Sequence, residues 1–453
     1  MQTKKAFLAR LYAVSWGGLL LLSMFSCHGG HEQDSLIVVD VYIEPIDVGI
    51  AIDGAGPLDQ DDSDSRVGMA VGDMAVSQDA AGPPQLGAPV LTALSPTQPA
   101  AIQGDLAYGA DGTLGMTWCG MGDDRLTVWF SSFDRGGNGL AEPVSLSAWT
   151  SGQENEPVIC PLSEGGFAVA WAADTGGPQP NLHVRYRIVS RDGLPEGTES
   201  RRIGDDTLGN HWLPSIGCLE SGGFVVVGVS AEDNGTFGIF HARVGETGEL
   251  SSLTRVNEDA QGSQLYPSIA VDRRTDTSLV VWEHHFDDMR PSQLRGRWIS
   301  ADGVAQAGEF IVGPVDLGLE KPAVAVTADT GDALIVGHIA MPRLFLYRLA
   351  GGQSQAVALA FAQSDRSYLG ALSANPRGGF ALLRLNGLRD DVGIVLNVLD
   401  TAGSVIHTAE LDRQNLPPYT PAVHASEAGL AALWTVSLPE RAYGLRLARL
   451  LRQ

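Results

Sequence analysis

The chain has 453 residues, 44% of them hydrophobic, with 55 glycines and a formal net charge of −23. So acidic a surface repels phosphate backbones, which argues against nucleic acid as a partner. After residue 27 nothing approaches the roughly 18 consecutive apolar residues of a membrane-spanning helix. Short Val-, Leu- and Ala-rich runs punctuated by glycine point to many short strands rather than long helices.

Residues 1–26 read as a targeting segment. The basic stretch MQTKKAFLAR is followed by the apolar run LYAVSWGGLLLLSMF, then by Ser26 and Cys27. The ending Met24-Phe25-Ser26-Cys27 resembles the lipobox of bacterial lipoproteins. The resemblance implies that Cys27 is acylated and becomes the new N-terminus. It also implies a membrane anchor through that lipid, at the outer membrane because His28 rather than an aspartate follows the cysteine. Two or three acyl chains anchor stably where one does not.

Residues 27–84 read as an acidic, disordered tether. Twelve acidic residues and one arginine lie between positions 28 and 88, with too little patterned apolar surface to offset the entropy of ordering. The run holding Asp59, Asp61 and Asp64 lacks the central glycine and terminal glutamate of a calcium loop.

From residue 85 to 453 the chain repeats itself. Aligned on the end of an apolar run, Trp118, Trp171, Gly228, Trp282, Gly337, Arg384 and Trp434 fall into register, at spacings of 53, 57, 54, 55, 47 and 50 residues. Each unit opens with an apolar strand, four of them marked by proline (EPVIC, LPSIG, YPSIA, KPAVAV). A tight turn (SEGG, ESGG, PRGG) leads to a second, almost wholly apolar strand (FAVAW, FVVVG). The diglycines Gly165-Gly166 and Gly222-Gly223 supply the positive φ that a hairpin demands. A third strand alternates, with Arg185, Arg187, Arg243 and Arg295 directed away from the core. A glycine turn then precedes a fourth, polar strand. Seven such units predict an all-β, seven-bladed β-propeller with four antiparallel strands per blade. The last unit offers three strands, and 88–100 reads as its fourth, closing the ring. The repeat resembles those of secreted and lipid-anchored bacterial propeller proteins, many of them uncharacterised, a resemblance that implies fold rather than activity.

Catalytic signatures such as Gly-x-Ser-x-Gly, His-Glu-x-x-His and Gly-x-x-x-x-Gly-Lys are missing, and no cofactor is expected. ADGTLGMTW at 110–118 is similar to a sialidase Asp-box but lacks its Ser/Thr, and reads as a hairpin turn. EHHFDD at 283–288 reads as a polar inter-strand loop. Three buried thiols are expected of Cys119, Cys160 and Cys218, with a bridge between neighbouring blades as the open alternative.

In a propeller the loops leading into strand one and those joining strands two and three share one face. The approaches to strand one carry Trp212, Tyr266, Tyr368, Tyr419 and Lys321, the last the only lysine beyond the targeting segment. The second set of loops carries Asp124, Asp287 and Asp390. Aromatics and carboxylates around a concave mouth suit a glycan, a cation or a protein ligand. The expected function is an extracytoplasmic binding module. Two alternatives stand beside it: a glycan hydrolase or lyase using paired carboxylates, which a glycosidase holds about 5–9.5 Å apart, and a scaffold subunit of an envelope complex.

Overall fold

The computed structural model describes residues 90–94, 101–122, 125–147, 152–176, 181–204, 210–231, 235–286, 290–339, 343–359, 367–388, 391–414, 421–427, 429–437 and 443–451. All of them belong to the unit Ala81–Gln453. They form seven four-stranded antiparallel sheets, one per sequence repeat.

The first sheet shows the pattern. Strand β2 (Ala101–Tyr108) is innermost, followed outward by β3 (Leu114–Met121), β4 (Leu126–Phe133) and β5 (Val144–Ser145). The remaining inner strands are β6 (Glu154–Pro161), β10 (His211–Cys218), β14 (Ser263–Asp272), β18 (Glu320–Val326), β22 (Ser367–Ala374) and β26 (Ala422–Ser426). The seventh blade is completed from the other end of the chain. Strand β1 (Val90–Leu94) pairs with β28 (Tyr443–Leu451) in the register Val90↔Arg449 to Leu94↔Leu445. The ring is therefore clasped as the sequence suggests.

Second strands are buried on both faces. Trp171, Trp282 and Trp434 are fully buried and Trp118 nearly so. Where the repeat lacks that tryptophan, a neighbour fills the space. A Cβ on Gly228 would meet the Phe240 ring at 2.7 Å, and one on Gly337 would meet Leu294 at 2.6 Å. In the sixth blade Arg384 stands at this position, donating to Asn397 Oδ1 (2.8 Å) and Ser367 Oγ (2.6 Å).

The recurring diglycine is explained at its second residue. Gly166, Gly223 and Gly379 all have positive φ, and a Cβ on them would lie 2.1–2.4 Å from the carbonyl oxygen ending the third strand. Only glycine lets the hairpin pass so close. The Asp-box-like stretch is likewise a hairpin, with the Gly109 amide donating to the Thr113 carbonyl.

The third-strand arginines Arg185, Arg243 and Arg295 are half-buried and Arg187 is buried, and their donors are used. Fourth strands β5, β9 (Arg201–Arg202) and β13 (Thr254–Arg255) have two residues each, which leaves nearby carbonyls unpaired by sheet. Arg187, itself buried, donates to the Gly197 and Leu146 carbonyls, and Arg185 to that of Ser200.

Two expectations are corrected. Cys160 and Cys218 form a disulfide joining the second and third blades, and among the described cysteines only Cys119 is free. EHHFDD is not all loop: Glu283, His284 and His285 end strand β15 (Thr277–His285). Among the described residues no helix is long and apolar enough to cross a membrane.

Candidate functional site

The inner strand of every blade has a free edge, and a free edge is a row of unpaired backbone groups. The chain covers these edges with side chains from the preceding blade, and this arrangement builds the site.

Each of the first six inner strands carries a bulge near its start. In five of them the bulge holds a non-glycine residue in the left-handed region: Gln103 (φ 54°), Glu156 (56°), Leu213 (50°), Tyr266 (50°) and Lys321 (45°). A left-handed residue costs about 1–2 kcal/mol, so its recurrence at one position reflects a geometry imposed by the ring. Four of the five precede proline, which has no N–H to lose to the sheet. The bulge presents its side chain to the next blade. Gln103 Oε1 accepts from the Glu156 amide at 2.9 Å, and Glu156 Oε2 from the Leu213 amide at 3.0 Å. At Lys321 the same amide goes to Glu283 Oε2 (3.1 Å), from the second strand of the preceding blade.

A polar cluster results at the upper end of the channel, meaning the end where the inner strands begin. Glu283 is buried and ion-paired to His285, which is two-fifths exposed. The Lys321 ammonium stands 5.7 Å from the centre of the Tyr266 ring, within cation–π reach. The phenol is pushed up to about 12 by burial first, then by the charges of Glu283, Glu156 and Glu320. It therefore stays a hydrogen-bond donor at any physiological pH. Burial and the neighbouring Glu283 raise the Glu320 carboxyl, with Lys321 and His285 opposing. His285 is raised by its bond to Glu283. Burial alone pushes Glu156 up to about 7, against the Leu213 bond that lowers it. The cluster thus sets donors (Tyr266, Lys321, His285) beside acceptors (Glu320, Glu156) and one aromatic face. Among the described residues no group of three or more His, Cys, Asp and Glu is arranged to hold a metal ion.

Of the residues singled out from sequence, Tyr266 and Lys321 are brought together here. Trp212 comes one residue before its bulge rather than on it, and its ring packs edge-on against Phe237 of its own blade at 5.0 Å. Tyr368 lies on β22, its backbone opposite Leu385. Cys27, Asp124, Asp287, Asp390 and Tyr419 lie outside the described residues. Sequence reasoning missed Gln103, Glu156 and Glu320, and it read Glu283 and His285 as part of a polar loop. The signal for Glu156 was present as the residue preceding proline in EPVIC, aligned with Tyr266 and Lys321.

Glu156 carries a test. Its ordinary value is about 4.3 and its folded value about 7, so the folded state holds its proton longer than the unfolded one. This contribution to stability is full below about pH 4 and is lost as pH rises through 7. Glu156→Gln keeps the oxygen that accepts from Leu213, as Gln103 does one blade earlier. The variant is expected to match the parent near pH 4 and to exceed it by on the order of 3–4 kcal/mol near pH 8, measured by denaturant unfolding across that range.

No protein-family model matches the chain, and no curated protein matches it in sequence. Among solved structures, a protein of unknown function from Dyadobacter fermentans superposes with a TM-score of 0.51 at 10% identity, covering 80% of this chain and 99% of that one. An ulvan lyase, from a polysaccharide lyase family and bound to -[GlcA(1-4)Rha3S]-, gives a TM-score of 0.53 at 9% identity, covering 80% of this chain and 96% of its own. The likeness is one of fold. At such identities it transfers no residue roles.

Proposed function

We propose that the protein is an extracytoplasmic glycan-binding module, tethered by a lipid on Cys27, that takes its ligand at the upper mouth of the channel. The observation that carries the reading is the convergence of Tyr266, Lys321, Glu283–His285 and Glu320 on one spot. Sugars present apolar ring faces edged by hydroxyls that both donate and accept. An aromatic face bordered by fixed donors and acceptors is complementary to that pattern. The fold shared with the ulvan lyase supports a glycan over a protein ligand. Two observations support the location. The first 27 residues have the pattern of a lipoprotein leader, and a disulfide persists in an oxidising compartment.

Calorimetric titration with a panel of neutral and uronate-containing oligosaccharides tests it. Tyr266→Ala and Lys321→Ala are each expected to weaken binding by about tenfold or more, the loss that goes with a hydrogen bond to a charged or desolvated partner. Unchanged affinity in both variants moves the site elsewhere. Capture of an envelope protein with no glycan bound favours the scaffold alternative.

A second reading, a glycan lyase or hydrolase, is favoured by the range of titrating groups in one cluster: a carboxyl near 7, a carboxylate–imidazole pair and a neutral phenol. Incubation with the polysaccharides that bind, followed by assay of new reducing ends and unsaturated uronate termini, separates catalysis from binding.

A further inference from the structure

Below the bulges the seven inner strands enclose a second space, about 670 Å³, which opens on the opposite face among the turns joining first and second strands. Its wall is built on one repeating rule. Where the residue two positions after the bulge is polar, its side chain accepts the amide three residues after the bulge in the next blade. Ser215 Oγ accepts from Ile269 (3.3 Å), and Ser268 Oγ from Val324 (3.2 Å). In the first blade the residue is Asp105, whose Oδ2 accepts from Ile159 at 3.0 Å. The equivalent residues elsewhere are Val158, Ala323, Ala371 and Ala422, small and neutral.

The fold therefore does not call for a carboxylate at Asp105. A serine hydroxyl makes the same cap in two neighbouring blades, and alanine is accepted in others. A carboxylate there carries a desolvation cost that a hydroxyl avoids. Burial pushes Asp105 up to about 6 even though the Ile159 and Leu106 amides both bond to its oxygens and lower it. No charged side chain contributes to that shift. The other ionisable groups lining the space are Tyr108, Arg135, Arg273, His424 and Glu427. Arg273 is ion-paired to Glu220 and Glu427 to Arg377. Burial holds His424 at about 4, so it is neutral, and its Nδ1 accepts from the Tyr108 amide. Asp105 is thus the one carboxylate lining the space that is not ion-paired to an arginine, and small neutral residues (Ser, Ala, Gly, Val) make up much of the remaining wall.

We propose that this lower channel is a second ligand site, binding a small organic cation whose protonated primary amine pairs with Asp105 while its body occupies the neutral bore. The Ser215 and Ser268 hydroxyls, each accepting one backbone amide, retain a second lone pair and a hydroxyl hydrogen for polar groups on the ligand's body. A bare metal ion is a poorer match, since one carboxylate and scattered hydroxyls do not make its ligand shell. The site is independent of the glycan reading, because it uses none of the residues at the upper mouth.

The test is calorimetric titration of the full chain with two amines, glucosamine and cyclohexylamine, and with their neutral counterparts, glucose and cyclohexanol. At about pH 7 at least one amine is expected to bind, and to bind at least ~10-fold more tightly than its neutral counterpart. Asp105→Ser, which keeps the cap on Ile159 as Ser215 does on Ile269, is expected to abolish that preference without lowering the thermal midpoint. Asp105→Asn serves as a second variant of the same volume. Affinity is expected to weaken up to tenfold per unit as pH falls below about 6, where Asp105 takes up its proton. Tyr266→Ala is expected to leave amine binding unchanged. The proposal is overturned if neither amine binds, if the neutral counterparts bind the Tyr266→Ala variant as tightly as the amines do, or if both Asp105 variants retain the preference.

Discussion

A chain beginning at residue 101 is expected to lose cooperative folding, although every residue removed precedes the first complete blade. The deleted β1 supplies five consecutive backbone pairs to β28 in the last blade. Each ladder hydrogen bond contributes about 0.5–1.5 kcal/mol net, so the set approaches the 5–15 kcal/mol that separates folded from unfolded in ordinary domains. The clasp also works through connectivity. First and last blades already share an apolar cluster in which Leu106, Tyr108 and Met116 pack with Leu433, Leu445 and Leu447. Without β1, closing that seam brings together the two ends of a chain of about 350 residues, with the entropy loss of a long loop. With β1 in place, the segment leading into the first blade is already held in the last. Removal also bares the edge of β28, nine residues rich in leucine, a template for association. Scanning calorimetry and light scattering of chains beginning at 85 and at 101 check this. A sharp transition of unchanged midpoint in the shorter chain would show that the blade cluster alone closes the ring.

The architecture was legible because its determinants are local and repeated. Diglycine turns announce the close approach of the first hairpin to the third strand, and the tryptophan register at Trp118, Trp171, Trp282 and Trp434 marks one strand per blade. The site was only half legible, and the reason is register. A bulge adds one residue to one strand, and alternation of faces turns a slip of one into a reversal of direction. Trp212 and Tyr266 both stand just ahead of an apolar strand, yet only Tyr266 is the left-handed bulge residue. Trp212, one position earlier, is directed into its own blade against Phe237. The Glu283–His285 pair was hidden by a boundary. Reading 283–288 as loop removed the alternation that puts residues 283 and 285 on one face and buries His284 on the other.

Register also decides the disulfide, and its removal is expected to have a large effect on stability. Counted from the residues that align in the repeats (Gly104, Pro157, Pro214, Gly370 and Pro421), side chains three residues on reach the next blade four residues on. Thus the Ser373 hydroxyl accepts from the Ala425 amide and His424 from the Tyr108 amide. Cys160 and Cys218 occupy this same pair of positions in the second and third blades, with Cα atoms 5.6 Å apart. A covalent bond stands where other blades use a hydrogen bond. Because the bridge spans 58 residues, it restricts the unfolded chain by about 4 kcal/mol in the loop-entropy account. The double variant Cys160→Ala/Cys218→Ala should lose that much. For a domain of this size the fall in thermal midpoint is roughly 5 °C. Reducing agent should produce the same fall in the parent and none in the variant. A thiol titration of residues 85–453 gives an independent check. Burial raises the Cys119 thiol well above its ordinary value, and its sulfur lies against the Glu154 carbonyl, so the native protein should expose no fast-reacting thiol. Denaturant alone should release one, and denaturant with prior reduction three. Three thiols without reduction would mean that the second and third blades are held by packing alone.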